Sequence, residues 1–213
     1  MVKISNLYKS YGETEILKGI GLEIKRGEIV AIVGASGVGK STLLHIIGGI
    51  EKPSAGNVLF NDTDIFTLKE DSLNKFRAKN MGFILQFYNL FSNLSLLENV
   101  LLPSYIIGNN AKERAIELIS FLGLSERCSY LPNRLSCGEQ QRTAIARALI
   151  NSPEIIIADE PTGSLDKKMS FEVYEMLKSI VKKENKSLII ATHNEELSKM
   201  ADRLFRLSDG QLI

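Results

Sequence analysis

The apolar run Ile29-Val30-Ala31-Ile32-Val33 leads directly into Gly34-Ala35-Ser36-Gly37-Val38-Gly39-Lys40-Ser41-Thr42. This is the spacing G-x-x-x-x-G-K-S/T, placed between a strand and a helix. Few features restrict a fold as strongly. Glycines let the backbone curl until successive N–H groups point inward, and such a concave backbone holds phosphate oxygens. The helix that follows adds roughly half a positive charge at the same spot. Lys40 is expected to reach the β- and γ-phosphates, and Ser41 to offer its hydroxyl to Mg²⁺. The loop by itself does not disclose which nucleotide is held or what its energy drives.

A second apolar run, Ile155-Ile156-Ile157-Ala158, ends in Asp159-Glu160. Ligands of open α/β sheets bind at the carboxyl ends of the strands, so paired acids there are informative. Asp159 is expected to bind Mg²⁺, directly or through water. Strand neighbours alternate faces, so Glu160 is expected to point away from Asp159. There it could act as general base on the water that attacks the γ-phosphate. The bland alternative is a solvated strand end before Pro161.

The rest of the chain fits an α/β class: a phosphate-loop nucleoside-triphosphatase core with a largely parallel sheet, N-terminal antiparallel β elements and an inserted helical subdomain. Strands are expected at 2–8, 16–24, 28–33, 57–60, 81–85, 155–158, 187–191 and 203–207. Helices are expected at 40–50 and 168–184, with a turn at 52–56. Between 87 and 151 apolar residues recur at helical spacing, as in Ala115, Leu118, Ile119 and Leu122. The division is one domain over 1–213, with 1–86 and 152–213 as core and 87–151 as the helical part.

Composition excludes several classes. Lys and Arg number 26 against 25 Asp and Glu, a net charge of +1, so no nucleic-acid partner is expected from charge. Cys128 and Cys137 lack the paired spacing of a zinc site, and two cysteines make no disulfide framework. No apolar run approaches the ~18 residues of a bilayer span. Met1–Asn6 reads as the start of a strand rather than a signal peptide. A membrane role is therefore expected through a partner chain. No Asn-Lys-x-Asp string is present for guanine, since Asn185-Lys186-Ser187-Leu188 breaks it.

The string Leu135-Ser136-Cys137-Gly138-Glu139-Gln140-Gln141-Arg142 precedes Asp159-Glu160. Together they resemble the signature and second acidic motifs of ATP-binding-cassette ATPases. Tyr11 stands where that family has its adenine-stacking aromatic, and Gln86 follows a strand as the family's sensing glutamine does. Ser164-Leu165-Asp166 is similar to its interface loop, and His193 follows an apolar strand as its switch histidine does. The resemblance spans essentially the whole chain. It implies ATP and Mg²⁺ as ligands, and two cassettes packed head to tail around two nucleotides. The signature segment of one copy then faces the γ-phosphate held by the other. Ser136 and Gly138 are implied to contact that phosphate, Asp166 to cross the interface, Gln86 to sense γ-phosphate and Mg²⁺, and His193 to hold γ-phosphate and water. Ser136 also suits a helix cap. Taken singly, Tyr11 is a strand-end aromatic and His193 a surface histidine.

One departure stands out. The family usually has two glycines after the signature serine, and here the first is Cys137. A Cβ there could crowd the phosphate or strain a backbone that needs positive φ. Activity is nonetheless expected to survive, because Ser136 and Gly138 remain. Within the family, Gly82-Phe83-Ile84-Leu85-Gln86-Phe87 and Leu97-Glu98-Asn99-Val100 look like the lipoprotein-releasing and macrolide-exporter branch, and Gln86-Phe87 favours the first, so an ATPase that powers lipoprotein release from the inner membrane is expected. That likeness implies integral membrane transporter subunits as partners and a peripheral place on the cytoplasmic face of the inner membrane. Part of 87–100 is expected to line a groove for a short helix of the membrane partner. Macrolide-type efflux and cell-division signalling remain alternatives. A chromosome-organising or translation-associated role is not expected, since these 213 residues hold neither the long insertion of the first class nor the paired cassettes of the second.

Overall fold

The computed structural model describes residues 1–194 and 198–213. Its N-terminal sheet begins with a hairpin of β1 (Val2–Tyr11) and β2 (Thr14–Ile24). β4 (Ala55–Phe60) lies antiparallel on the other side of β1, and β5 (Thr63–Asp64) follows it, for the order β2-β1-β4-β5. The turn between these last two is Asn61-Asp62 at φ 46° and 66°. Asn and Asp are residues that accept this left-handed pair, which matches the twist of the flanking strands.

The second sheet has the order β10-β9-β3-β8-β7-β6. Its strands are β3 (Ile29–Val33), β6 (Met81–Ile84), β7 (Ile155–Asp159), β8 (Ser187–Ala191), β9 (Arg203–Ser208) and β10 (Gln211–Leu212). All neighbours pair parallel except β9 and β10, which form an antiparallel edge hairpin around Asp209-Gly210. Both β5 and β10 lie outside the expected set of strands.

β3, β7 and β8 are buried along their whole length. Alternate residues feed two separate cores, as the two-residue period of a strand requires. Ile29, Ala31, Ile156, Ala158, Leu188 and Ile190 join one apolar cluster. That cluster holds α3 (Leu96–Ile106), α4 (Lys112–Phe121), α5 (Cys137–Leu149) and α6 (Lys167–Lys183). Val30, Ile32, Ile155, Ile157, Ile189 and Ala191 join the other, with α1 (Lys40–Ile47) and the antiparallel sheet. Each fully buried aliphatic side chain contributes about 1.5–3 kcal/mol. α6 shows the pattern plainly: Val173, Tyr174, Leu177, Ile180 and Val181 form one buried stripe.

Two expectations about helices need correction. α1 stops at Ile47, short of 50, because Gly48 and Gly49 follow and Gly49 sits at φ 65°. α2 (Glu70–Asn80) was not expected at all. Only Leu73 of it is buried, so it carries almost no apolar period. Glu70 and Asp71 in its first turn and Arg77 and Lys79 in its last complement the helix dipole, while Phe76 packs edge-on against Phe60 and Arg77 Nη1 donates to Gly49 O at 2.8 Å. The helices between 96 and 149 are contiguous in sequence, but their apolar faces merge with those of β7 and β8 into one core.

Candidate nucleotide site

The site lies where the parallel strands end. β3 delivers the glycine loop and α1 leaves it. Gly39 stands at φ 106°, and a Cβ there would come within 2.7 Å of Ile16 Cγ2. Only glycine fits that joint. Lys40, 7% exposed, folds back so that Nζ donates to Gly34 O at 2.9 Å and Ala35 O at 3.0 Å. An ammonium has three donors, so one N–H remains for a ligand. Gly34 and Ala35 thus shape the loop from behind, and Val38 packs on the core beneath it.

β7 brings the acids. Asp159 is 8% exposed, and its Oδ1 is buried with no hydrogen-bond partner. A buried carboxylate oxygen without a donor is costly unless a cation sits there. Glu160 does not point away from Asp159, contrary to the alternation rule. β7 ends at Asp159, and Glu160 takes φ 44°, held by a hydrogen bond from its N–H to Ala191 O at 2.9 Å. The left-handed turn swings the side chain back, so that both acids line one cleft. Glu160 Oε1 lies 4.0 Å from Lys40 Nζ, and Oε2 lies 2.9 Å from His193 Nδ1. A carboxylate can only accept, which assigns the hydrogen to Nδ1 of His193 and leaves Nε2 free. Backbone strain of this kind is characteristic of functional sites.

The cleft encloses about 720 Å³. Tyr11, Ser36, Gly37, Ser41, Thr42 and Gln86 line it together with Gly39, Lys40 and the acids. The expected residues from five separate stretches, Tyr11, the glycine loop, Gln86, the two acids and His193, therefore converge. Two participants were not expected. Ile16 contributes an apolar wall, and nothing in its sequence context marks it. Glu51 accepts the hydroxyl of Tyr11 and pairs with Lys9 at 2.8 Å. The hydrogen bond to Glu51 pushes the Tyr11 pKa up, whereas Glu51 itself is held below the usual carboxylate range by Lys9 and Tyr11 against the opposing effect of burial. Lys9 also lies 4.9 Å from the centre of the Tyr11 ring.

Ser136, Gly138 and Asp166 do not line this cleft. Ser136 caps α5 in a reciprocal box: Glu139 N–H donates to Ser136 Oγ at 3.3 Å, and Ser136 N–H donates to Glu139 Oε2 at 2.8 Å. Glu139, further paired with Arg127 at 3.0 Å, is held below the usual carboxylate range chiefly by that backbone N–H. Cys137 is the first residue of α5, exposed and without positive φ, so the feared strain is absent. Gly138 is buried, and a Cβ on it would lie 2.0 Å from Met169 Cε. A Cβ there would push the Met169 side chain aside, so glycine eases the close approach of α5 to the start of α6 within one chain. Asp166 caps α6 by accepting from Met169 N–H at 2.9 Å.

A second, more apolar groove of about 560 Å³ opens between α2, β6, α3 and α5. Met81, Phe83, Pro103, Ile106, Arg147 and Ile150 are among its walls. No residue of 87–100 lines it, contrary to expectation, although Leu85 and Pro103 flank that stretch on either side. Phe87 is 77% exposed and Phe91 is also exposed. Among the described residues, no helix is long and apolar enough to cross a membrane.

Residues 17–163 match the family model described as ABC transporter. The lipoprotein-releasing system ATP-binding protein LolD of Bacteroides thetaiotaomicron is 45% identical, covering 100% of this chain and 99% of the relative. LolD of Geobacter metallireducens is 45% identical over 100% of this chain and 98% of the relative. Among solved structures, the dimeric bacterial ABC transporter cassette MJ0796 superposes with a TM-score of 0.92 at 39% identity, covering 100% of this chain and 96% of that one. The same cassette is known in a dimeric post-hydrolysis state bound to ADP and Pi, again at a TM-score of 0.92 and 39% identity, over 100% of this chain and 96% of that one. With more than half its length matched by the family model and full-length relatives well above 30% identity, the chain belongs to the ABC transporter family as an ATP-binding cassette.

Proposed function

We propose that this cassette hydrolyses ATP to drive a separate membrane subunit that releases lipoproteins from the inner membrane. The observation that carries the chemistry is the run of contacts Lys40–Glu160–His193 around one cleft. The loop N–H groups and Lys40 bind the phosphates, and Tyr11 stacks on the adenine. Asp159, Ser41 and Gln86 would hold Mg²⁺. One carboxylate with a hydroxyl and an amide suits this ion, which keeps waters and takes its other oxygens from phosphates. The unpartnered Asp159 Oδ1 supports that fit. When bound, the ion neutralises charge that builds on the β- and γ-phosphate oxygens.

Glu160 accepts a proton from water as its oxygen attacks the γ-phosphorus and the bond to the β-phosphate oxygen breaks. His193, steered by Glu160, presents Nε2 toward the γ-phosphate. Ser136, Gly138 and Asp166 lie outside the cleft because they serve the nucleotide of a second copy packed head to tail. The capped start of α5 aims its dipole at that phosphate. In this reading the helical part, 87–151, presents Ser136 and Gly138 to the second copy, and the core, 1–86 and 152–213, holds the nucleotide. The chain then sits peripherally on the cytoplasmic face of the membrane, with a short helix of the membrane subunit in the apolar groove.

The LolD relatives support lipoproteins as the cargo. Reconstitution with the copurifying membrane subunits in vesicles carrying a lipid-anchored protein tests it. ATP-dependent release of that protein is expected. Hydrolysis without release, or export of a macrolide instead, would reject the cargo assignment and leave the ATPase standing.

A further inference from the structure

Gln86 enters the cleft from the loop after β6, and the next residues bend sharply. Tyr88 N–H donates to Leu85 O at 3.1 Å, and Asn89 N–H donates to Phe87 O at 2.5 Å. Tyr88 and Asn89 both have positive φ, 56° and 47°. Asn tolerates that region, but an aromatic residue rarely enters it. A turn of this kind persists only if its surroundings hold it.

What holds it is one side chain of α5. Arg147, in the last turn of that helix, donates from Nη1 to Asn89 O at 2.6 Å and from Nη2 to Tyr88 O at 2.5 Å. The planar fork of a guanidinium suits two adjacent acceptors as no other side chain does. Arg147 is half-buried, and burial pushes its pKa down. Among the described residues no carboxylate pairs with it, so the two carbonyls are its defined partners. The far side of the turn is packed too. The Tyr88 hydroxyl is buried without a formed hydrogen bond, next to Cys137 at the start of α5 and Ser164 before α6.

We propose that Arg147 is a positioning residue that locks the left-handed Tyr88-Asn89 turn and thereby holds Gln86 in its working place in the cleft. The inference rests on the reading above that Gln86 acts at the nucleotide. It adds a residue remote from the phosphate loop that acts on turnover and not on nucleotide affinity. It also ties the end of α5 to Gln86, the same helix whose other end carries Ser136. Because Arg147 also lines the apolar groove, whatever occupies that groove touches the lock directly.

The test compares the full chain with Gln86→Ala, Arg147→Met and the double variant, by Mg-ATP affinity, steady-state hydrolysis and thermal melting. Arg147→Met is expected to leave ATP affinity within twofold and to lower kcat at least tenfold. The double variant is expected to be no more than twofold slower than the slower single variant, because both substitutions remove one function. A kcat within twofold of the parent overturns the proposal, even if the melting temperature falls, since that is a purely structural role. Two losses that multiply in the double variant also overturn it. If Gln86→Ala alone leaves kcat unchanged, the assignment of Gln86 fails first and the lock fails with it. If Arg147→Met does not fold, Arg147→Lys is read in the same way, because one ammonium lacks the fork. Its equality with the parent overturns the proposal.

Discussion

Gly39 shows how closely a single position can be argued. Its φ of 106° and the 2.7 Å approach to Ile16 Cγ2 leave no room for a methyl group. Gly39→Ala is expected to destabilise the fold by about 1–3 kcal/mol, from the strained φ together with the clash. It should also abolish most Mg-ATP binding; thermal melts with and without nucleotide read both effects. A loss of stability without loss of binding would contradict the placement of the loop. Cys137 gives the opposite case. As the exposed first residue of α5 it needs no special φ, so Cys137→Gly is expected to change turnover by less than about tenfold. The residue types at both positions were legible in the sequence, but the consequence at Cys137 was not. Its conformation depends on where Ser136 caps the helix. Glu160 is similar: alternation sends it away from Asp159, and only the positive φ after β7 brings it back.

Elements with a strong apolar period were readable, and those without one were not. β3, β7, β8 and α6 lie within a residue or two of expectation because each buries a face or a whole strand. α2 is nearly all polar, and charges at its ends are a weak sequence signal. β5 and β10 are two residues each, yet Asp209-Gly210 is a recognised hairpin turn and could have revealed the second. α6 also holds an anomaly. Tyr174 is fully buried, its hydroxyl has no partner, and burial pushes its pKa from 10.0 up to about 12. The folded pKa is the higher one, so the folded state favours the protonated phenol. The stabilisation from this group is complete below pH 10 and is lost as pH rises towards about 12. Tyr174→Phe is therefore expected to match or exceed the parent at pH 8, by about 1 kcal/mol, and to lose less stability across that alkaline window. Chemical denaturation at a series of pH values checks it. A parent more stable than the variant at every pH would mean that the hydroxyl has a partner.

In the proposed function the whole molecule carries two surfaces that a single chain does not complete. The apolar groove belongs to the proposed membrane partner, and the sequence missed it because its walls come from four separated elements. Ile106 on its rim is 53% exposed. Ile106→Glu is expected to keep basal ATPase within about twofold and to cut lipoprotein release at least tenfold, since a charge in an apolar contact is strongly unfavourable. Unchanged release would place the partner elsewhere. The other surface is the cleft itself. Lys40, Asp159, Glu160 and His193 stand in place within one chain, while Ser136, Gly138 and Asp166 lie outside that cleft. The most direct measurement is the solution mass of Glu160→Gln with and without Mg-ATP. Binding is kept and hydrolysis is slowed by about 10²–10⁴, so a dimer that appears only with Mg-ATP is the predicted result. A monomer under both conditions, with ATP bound, would contradict the head-to-tail composite site.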